Sequence, residues 1–274
     1  MPRGACGGRA EDRRGRPFVA GDPVSLAHFF AGVADPGSTL ELSGDDARHA
    51  LGPLRLRVGD RVTSSDGAGG LAVGRIVRAD RGALVVEVEE RSGEAPRSPT
   101  VRVLMAAPKG ERLTWAVQKL TEVGVDAVVL VESSRSVRRW PAERAARAAE
   151  RMATVAREAA KQSRRRFLPE VGGPMPWDEG MDAALEAGTL VVLWEGATSG
   201  LPEVLPAQAP RAISLVVGPE GGIPEEDARS AAERGALLAG LGPTLMRTET
   251  AAVASAVIAL ARYGRLDGPA PEAD

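Results

Sequence analysis

The sequence predicts an α/β fold: a mostly parallel sheet, preceded by a small β-barrel. Three observations carry this. From about residue 100 onward, short apolar runs alternate with amphipathic stretches of helical length, the pattern that builds parallel sheets. Two of those runs, 189–194 and 213–217, are apolar without interruption, as strands covered on both faces are. Before residue 92 the pattern differs. Short β-rich segments are separated by glycines at 59, 67, 69, 70, 74 and 82, the punctuation of a small barrel.

Taken in order, residues 1–24 are rich in Gly, Arg and Pro with no hydrophobic period, and are expected to form a disordered extension. The barrel is placed at 25–91, with strands over 39–42, 61–64, 71–77 and 83–88. Residues 92–99 are Ser/Pro/Gly-rich and read as a linker. The α/β domain is placed at 100–265. It opens with a strand over 101–107. A helix over 111–123 follows, with Leu113, Val117, Leu120 and Val123 at helical spacing. Residues 127–131 are the next strand. Residues 141 to about 163 form a long Ala/Arg-rich helix with Pro141 in its first turn. Strands follow at 189–194 and 213–217. The helix over 224–234 carries Glu225, Glu226 and Asp227 in its first turn and stops at Gly235. A short strand covers 237–241. The helix over 248–263 is apolar around most of its circumference, which encloses it in the core or against a partner. A flexible tail is expected over 266–274.

Composition excludes several classes. Of the 274 residues, 43% are apolar, enough for a sizeable core, yet no run is long and apolar enough to span a bilayer. The N-terminal arginines have no apolar segment behind them, unlike a secretory signal, so a cytoplasmic location is expected. Cys6 is the single cysteine, which excludes a disulfide scaffold or a cysteine metal site. His28 and His49 are the two histidines, so the C-terminal half holds neither a histidine-ligated metal nor a Ser-His-Asp triad. A formal net charge of −2 confines any nucleic-acid surface to a local patch.

The segment Gly67-Ala68-Gly69-Gly70-Leu71-Ala72 fits the dinucleotide fingerprint nominally, but a strand follows it, so it reads as a hairpin turn. No P-loop pattern occurs. Two glycine-proline loops near the C-terminus are more informative. Gly218-Pro219-Glu220-Gly221-Gly222 and Leu241-Gly242-Pro243-Thr244-Leu245-Met246-Arg247-Thr248-Glu249-Thr250-Ala251 each follow a strand and feed a helix. Such loops build sites for small charged ligands, because glycine lets a ligand lie against the backbone. A basic run from Arg135 to Arg166 includes Arg138, Arg139, Arg144, Arg147, Arg151, Arg157, Lys161, Arg164 and Arg165. It reads as a phosphate-contacting edge or as a solvated helix face. The barrel adds Arg48, Arg55, Arg57 and Arg61 near His49, which is either a loop histidine or a base-stacking group.

These loops resemble the ribosomal RNA small-subunit methyltransferase E family. Lys109-Gly110-Glu111 with Gln118-Lys119 and Glu122-Val123-Gly124-Val125 resembles the family's first helix segment. Gln162-Ser163 through Arg165, then Leu168-Pro169-Glu170-Val171, resembles its central basic segment. His49 with Leu54-Arg55-Leu56-Arg57-Val58-Gly59-Asp60 resembles its N-terminal barrel. The resemblance covers about residues 26–265. Arg164 stands where many relatives have glycine, and Thr244 where arginine is frequent.

The resemblance implies a knotted SPOUT-type α/β trefoil domain behind a PUA-like β-barrel that binds RNA. It implies S-adenosyl-L-methionine as cofactor and methylation of N3 of a uridine in 16S ribosomal RNA. The implied partners are that RNA or the small ribosomal subunit and a second copy of the chain, as a homodimer, with no membrane and no metal. The cofactor is expected against three loops. The first is Leu193, Trp194, Glu195 and Gly196. The second is Val217, Gly218, Pro219, Glu220, Gly221 and Gly222. The third is Leu241, Gly242, Pro243, Leu245 and Met246, with Thr250 and Ala251 behind it. Arg247 is expected to stabilise charge on the uracil oxygens or to hold a phosphate. Glu220 or Glu249 is expected to act as base or to orient Arg247; for each glutamate the alternative is a helix N-terminal charge without any chemistry. RNA contacts are expected from His49, Arg55, Arg57, Lys109, Arg164, Arg165 and Arg166. A non-catalytic RNA-binding or ribosome-assembly protein of the same fold, or an enzyme acting on transfer RNA, remain alternatives.

Overall fold

Strand order and the alternation of side chains along each strand set the architecture. The computed structural model describes residues 26–80, 82–108, 110–132 and 141–267. The expected N-terminal extension, Lys109, Arg135, Arg138, Arg139 and most of the expected tail lie outside the described residues. The chain divides into two units, the first holding residues up to 66 together with 70–93, the second 67–69 and 94–267.

The first unit contains β1 (Ala27–Phe29), β2 (Thr39–Ser43), α1 (Gly44–Leu51), β3 (Arg61–Ser65), β4 (Gly70–Asp80) and β5 (Ala83–Gly93). They form a five-stranded sheet in the order β1-β3-β4-β5-β2, parallel only between β1 and β3. Phe29, Leu42, Val62, Ile76, Leu84 and Val86 close its core. β3 and β4 pair as an antiparallel hairpin, so the glycine-rich stretch between them is a turn, as its sequence context indicates. β4 bends at a bulge beside Gly74, where a Cβ would come within 2.5 Å of the Glu87 carbonyl oxygen. β5 runs through Gly93, past the end at Val88 that the sequence suggests.

The second unit contains β6 (Thr100–Ala106), α2 (Arg112–Val123), β7 (Ala127–Glu132), α3 (Ala142–Gln162), β8 (Glu170–Pro176), α4 (Trp177–Ala187), β9 (Thr189–Leu193), α5 (Leu201–Val204), β10 (Ala212–Val217), α6 (Glu225–Glu233), β11 (Leu237–Ala239) and α7 (Thr248–Arg262). The six strands lie in the order β11-β9-β10-β6-β7-β8, and every neighbouring pair is parallel. The expectation of a mostly parallel sheet therefore holds. Val103, Leu130, Val191 and Leu215 point to one face, which packs with Leu120 of α2, Met152 of α3 and Ala256 of α7. Their neighbours Leu104, Val129, Val192 and Val216 point to the other face, toward Met181 of α4 and Ala228 of α6. This two-sided burial explains the unbroken apolar runs.

Local chemistry ends the helices where the sequence suggests. α2 stops at Gly124, whose φ of 104° lets its N–H bond back to the Leu120 carbonyl. Pro141 and Pro224 cap α3 and α6 from just outside the first turn. Beyond α7, the Arg265 guanidinium grips Asp126 with two bonds of 3.0 Å and the Pro99 carbonyl at 2.6 Å. Asp126 also accepts the Val101 N–H at 2.8 Å. This clamp ties the C-terminal end of α7 to β6 and to the α2–β7 turn.

Candidate active site

β9, β10 and β11 are neighbours, and their C-terminal ends open on one side of the sheet. That is where parallel sheets place ligands. Three loops leave from there. The loop after β9 turns at once, with the Ala197 N–H on the Trp194 carbonyl at 3.1 Å. It is laced to β11: Trp194 N–H donates to Ala239 at 2.9 Å, Gly240 to Ser199 at 2.9 Å, and Leu201 to Gly240 at 2.9 Å. The loop after β10 closes a tight turn through the Gly222 N–H on the Pro219 carbonyl, 2.9 Å. Gly222 takes φ +74°, and a Cβ there would sit 2.5 Å from Glu195 Oε1. Only glycine holds that conformation without strain. The third loop feeds α7, whose first residue, Thr248, donates its buried hydroxyl to the Gly218 carbonyl at 3.0 Å.

Together the loops wall a cavity of about 510 Å³. Leu193, Trp194, Glu195, Val217, Gly218, Pro219, Glu220, Gly221, Gly222, Leu241, Gly242, Pro243, Leu245, Met246 and Ala251 line it. Gly196 and Thr250, expected with them, do not. Ala197, Ile223, Ala239, Gly240, Thr244 and Thr248 line it in addition. Leu193, Val217 and Leu241 give the lining apolar surface, and the exposed residues Glu195 and Glu220 give it carboxylates. The cavity thus fits a small molecule with an apolar body and a positively charged part.

Arg247 is exposed and stands immediately before α7, outside the cavity wall. Glu249, the second residue of α7, is buried. A residue not anticipated from sequence joins the two glutamates. Arg112 Nη1 lies 3.7 Å from Glu220 Oε1, and its Nε lies 3.7 Å from Glu249 Oε1. Glu220 and Glu249 are therefore paired through Arg112, and neither forms an ion pair with Arg247 among the described residues.

The expected RNA contacts fall in both units. In the first, His49 is exposed on α1, a helix rather than a loop, and Arg55 and Arg57 are exposed just after it. In the second, Arg164 and Arg166 are half-buried beyond the end of α3. Arg164 takes φ +52°, a left-handed conformation that glycine adopts more readily than arginine. Arg165 is turned inward, donating to the Thr121 carbonyl at 2.9 Å. Burial lowers its pKa to about 10, with Asp126 partly offsetting the effect. On α3 itself Arg144, Arg147 and Arg151 are exposed.

Comparison with known proteins gives a consistent answer. The family described as RNA methyltransferase domain matches residues 96–260. The ribosomal RNA small subunit methyltransferase E of Mycobacterium bovis is 35% identical over 233 residues, covering 84% of this chain and 88% of that protein. The protein of the same name from Bacillus subtilis is 30% identical, covering 78% and 86%. The crystal structure of the Neisseria gonorrhoeae protein of that name, bound to S-adenosyl methionine, superimposes with a TM-score of 0.77 at 26% identity, covering 87% of this chain and 98% of that one. No helix among the described residues is long and apolar enough to cross a membrane. With a matching family over most of the second unit and relatives aligned across both, the chain belongs to the ribosomal RNA small subunit methyltransferase E family.

Proposed function

We propose that this chain methylates N3 of a uridine in 16S ribosomal RNA, using S-adenosyl-L-methionine, on small ribosomal subunits in the cytoplasm. The observation that carries the reading is the three-loop cavity, with its glycine cradle and two carboxylates in its lining. Its residues fit the cofactor. Leu193, Val217 and Leu241 offer apolar surface, the backbone at 218–222 allows close approach, and Glu195 and Glu220 suit a cationic sulfonium. Bound there, the cofactor supplies an activated methyl group for in-line displacement. The protein's work is positioning and charge management.

Uracil N3 carries a proton at neutral pH, so the site must accept it and stabilise the charge that develops on the ring oxygens. Arg247, exposed beside the cavity, serves the second role. The first unit serves as the RNA-binding domain, with Arg55, Arg57 and His49 on its surface. A trefoil knot of the second unit is supported by its strand path: the chain leaves β8 at one edge, reaches β9, then inserts β10 between β9 and β6. A homodimer is supported by the outward apolar residues Leu245, Met246 and Val257 at and beyond the third loop. Mass-spectrometric mapping of modified nucleosides, in cells with and without this protein, tests the reading. Loss of one N3-methyluridine from 16S RNA is expected. An unchanged 16S profile, or a loss confined to transfer RNA, would overturn it.

A further inference from the structure

We propose that Arg112 is a positioning residue of the methyl-transfer site, fixing Glu220 as the group that takes the proton from the target base. The proposal rests on the uridine N3 reading above and assigns the acceptor side of that same site. Strand order supplies the first argument. The cavity is walled by loops after β9, β10 and β11, while β6 lies on the opposite flank of β10. Helix α2 follows β6, so its first residue starts beside the β10 loop and away from the loops of β9 and β11. There Arg112 stands between two carboxylates from two other elements, at 3.7 Å from each.

The two carboxylates differ in exposure. The Glu249 side chain is 9% exposed, whereas that of Glu220 is 35% exposed and lines the cavity. Glu249 is thus the anchor and Glu220 the group a substrate reaches. A second observation is independent of the pairing. Glu249 Oε2 is fully buried and has no hydrogen-bond partner among the described residues. A buried carboxylate in that state is tolerated only beside a compensating cation, and Arg112 is that cation. Glu249 in return fixes the guanidinium. Neither contact has hydrogen-bond length. Arg112 and Glu220 therefore keep donors and an acceptor uncommitted, the condition of groups that tighten when the reacting partner arrives.

The charge of the cluster identifies what it receives. Two carboxylates and one guanidinium leave one net negative charge, which repels a phosphate and favours an N–H that gives up its proton. In the step, the N3 proton passes to the Glu220 carboxylate and the freed nitrogen pair forms the N–CH3 bond. The S–CH3 bond breaks with its electrons on sulfur.

The test uses the full chain, small ribosomal subunits from cells lacking it, single-turnover methyl transfer, and calorimetry with S-adenosylmethionine. Glu220→Gln should slow transfer about 100-fold at neutral pH, the scale for losing a general base. Its rate should then climb with pH, because solution base removes the N3 proton instead. Arg112→Gln should keep cofactor affinity but slow transfer about tenfold or more, and the double variant should be no slower than Glu220→Gln alone. If Arg112→Gln lowers the melting temperature, Arg112→Lys replaces it in the same cycle. Additive effects in the cycle, or normal turnover by Glu220→Gln, would overturn the assignment. A wild-type chain that forms no N3-methyluridine would instead overturn the underlying reading of function.

Discussion

Arg247 sits at the junction of the third cavity loop and α7, exposed and with an extended backbone. Its side chain is not part of the cavity lining, so removing it should leave the cofactor in place. If it stabilises charge that appears on the uracil only during transfer, Arg247→Ala should preserve cofactor affinity and cut the methylation rate about 100-fold or more. Arg247→Lys should restore little, because a point charge does not reproduce a planar fork. Near-normal turnover in Arg247→Ala would remove it from the reaction. The loops around it were legible in the sequence because glycine and proline mark tight turns by local chemistry alone, as Gly222 with its positive φ illustrates. Arg112 was not legible. It lies more than a hundred residues from Glu220, and only the adjacency of β6 and β10 brings them together. Thr248 was missed for a similar reason: its hydroxyl matters through a carbonyl on another strand's loop.

Elements were read where their burial pattern is strong and lost where glycine or short length dilutes it. The buried strands β6, β7, β9 and β10 announce themselves as apolar runs. β8 does not, since two glycines and two prolines interrupt it, which an edge strand paired only to β7 tolerates. α4 carries a helical apolar pattern at Trp177, Met181 and Ala184, broken in sequence by Gly180. That glycine is required by packing, because a Cβ there would lie 2.7 Å from Val131 Cγ1. α1 buries only Ala47 and Ala50, too small a face to read. The clamp of Arg265 on Asp126 is the clearest energetic link between elements. The Arg265 side chain is 9% exposed and that of Asp126 25%, so the pair is shielded from solvent on one side. Asp126→Ala leaves Arg265 and the inward-turned Arg165 without their carboxylate and frees the Val101 N–H. It should cost on the order of 3 kcal/mol of stability, the scale for breaking a largely buried pair. Urea unfolding would measure this, and a change within about 0.5 kcal/mol, the range of ordinary surface substitutions, would show the clamp to be dispensable.

At the scale of the whole molecule, the proposed function assigns different tasks to the two units. Every residue lining the cavity lies between 193 and 251, and the core residues of β9, β10 and α7 that hold the loops in place lie between 191 and 260, all within the second unit. The second unit also carries its own core on both faces of the sheet. A chain comprising residues 94–267 should therefore fold and bind S-adenosylmethionine. It would lack residues 67–69, and with them the bonds from Leu168 to Gly67 and from Gly69 to Arg166. None of those residues lines the cavity, so the loss should loosen the segment after α3 and spare the cofactor site. The same truncation removes His49, Arg55 and Arg57. If the first unit holds the RNA, affinity for 16S RNA should fall about tenfold or more, with a shallower dependence on salt, because fewer phosphate contacts remain. Calorimetry and filter binding on the same preparation separate the two readouts. A folded 94–267 chain that binds no cofactor would place part of the cofactor site in the first unit, and one that keeps full RNA affinity would place RNA recognition on α3 and the loops beyond it.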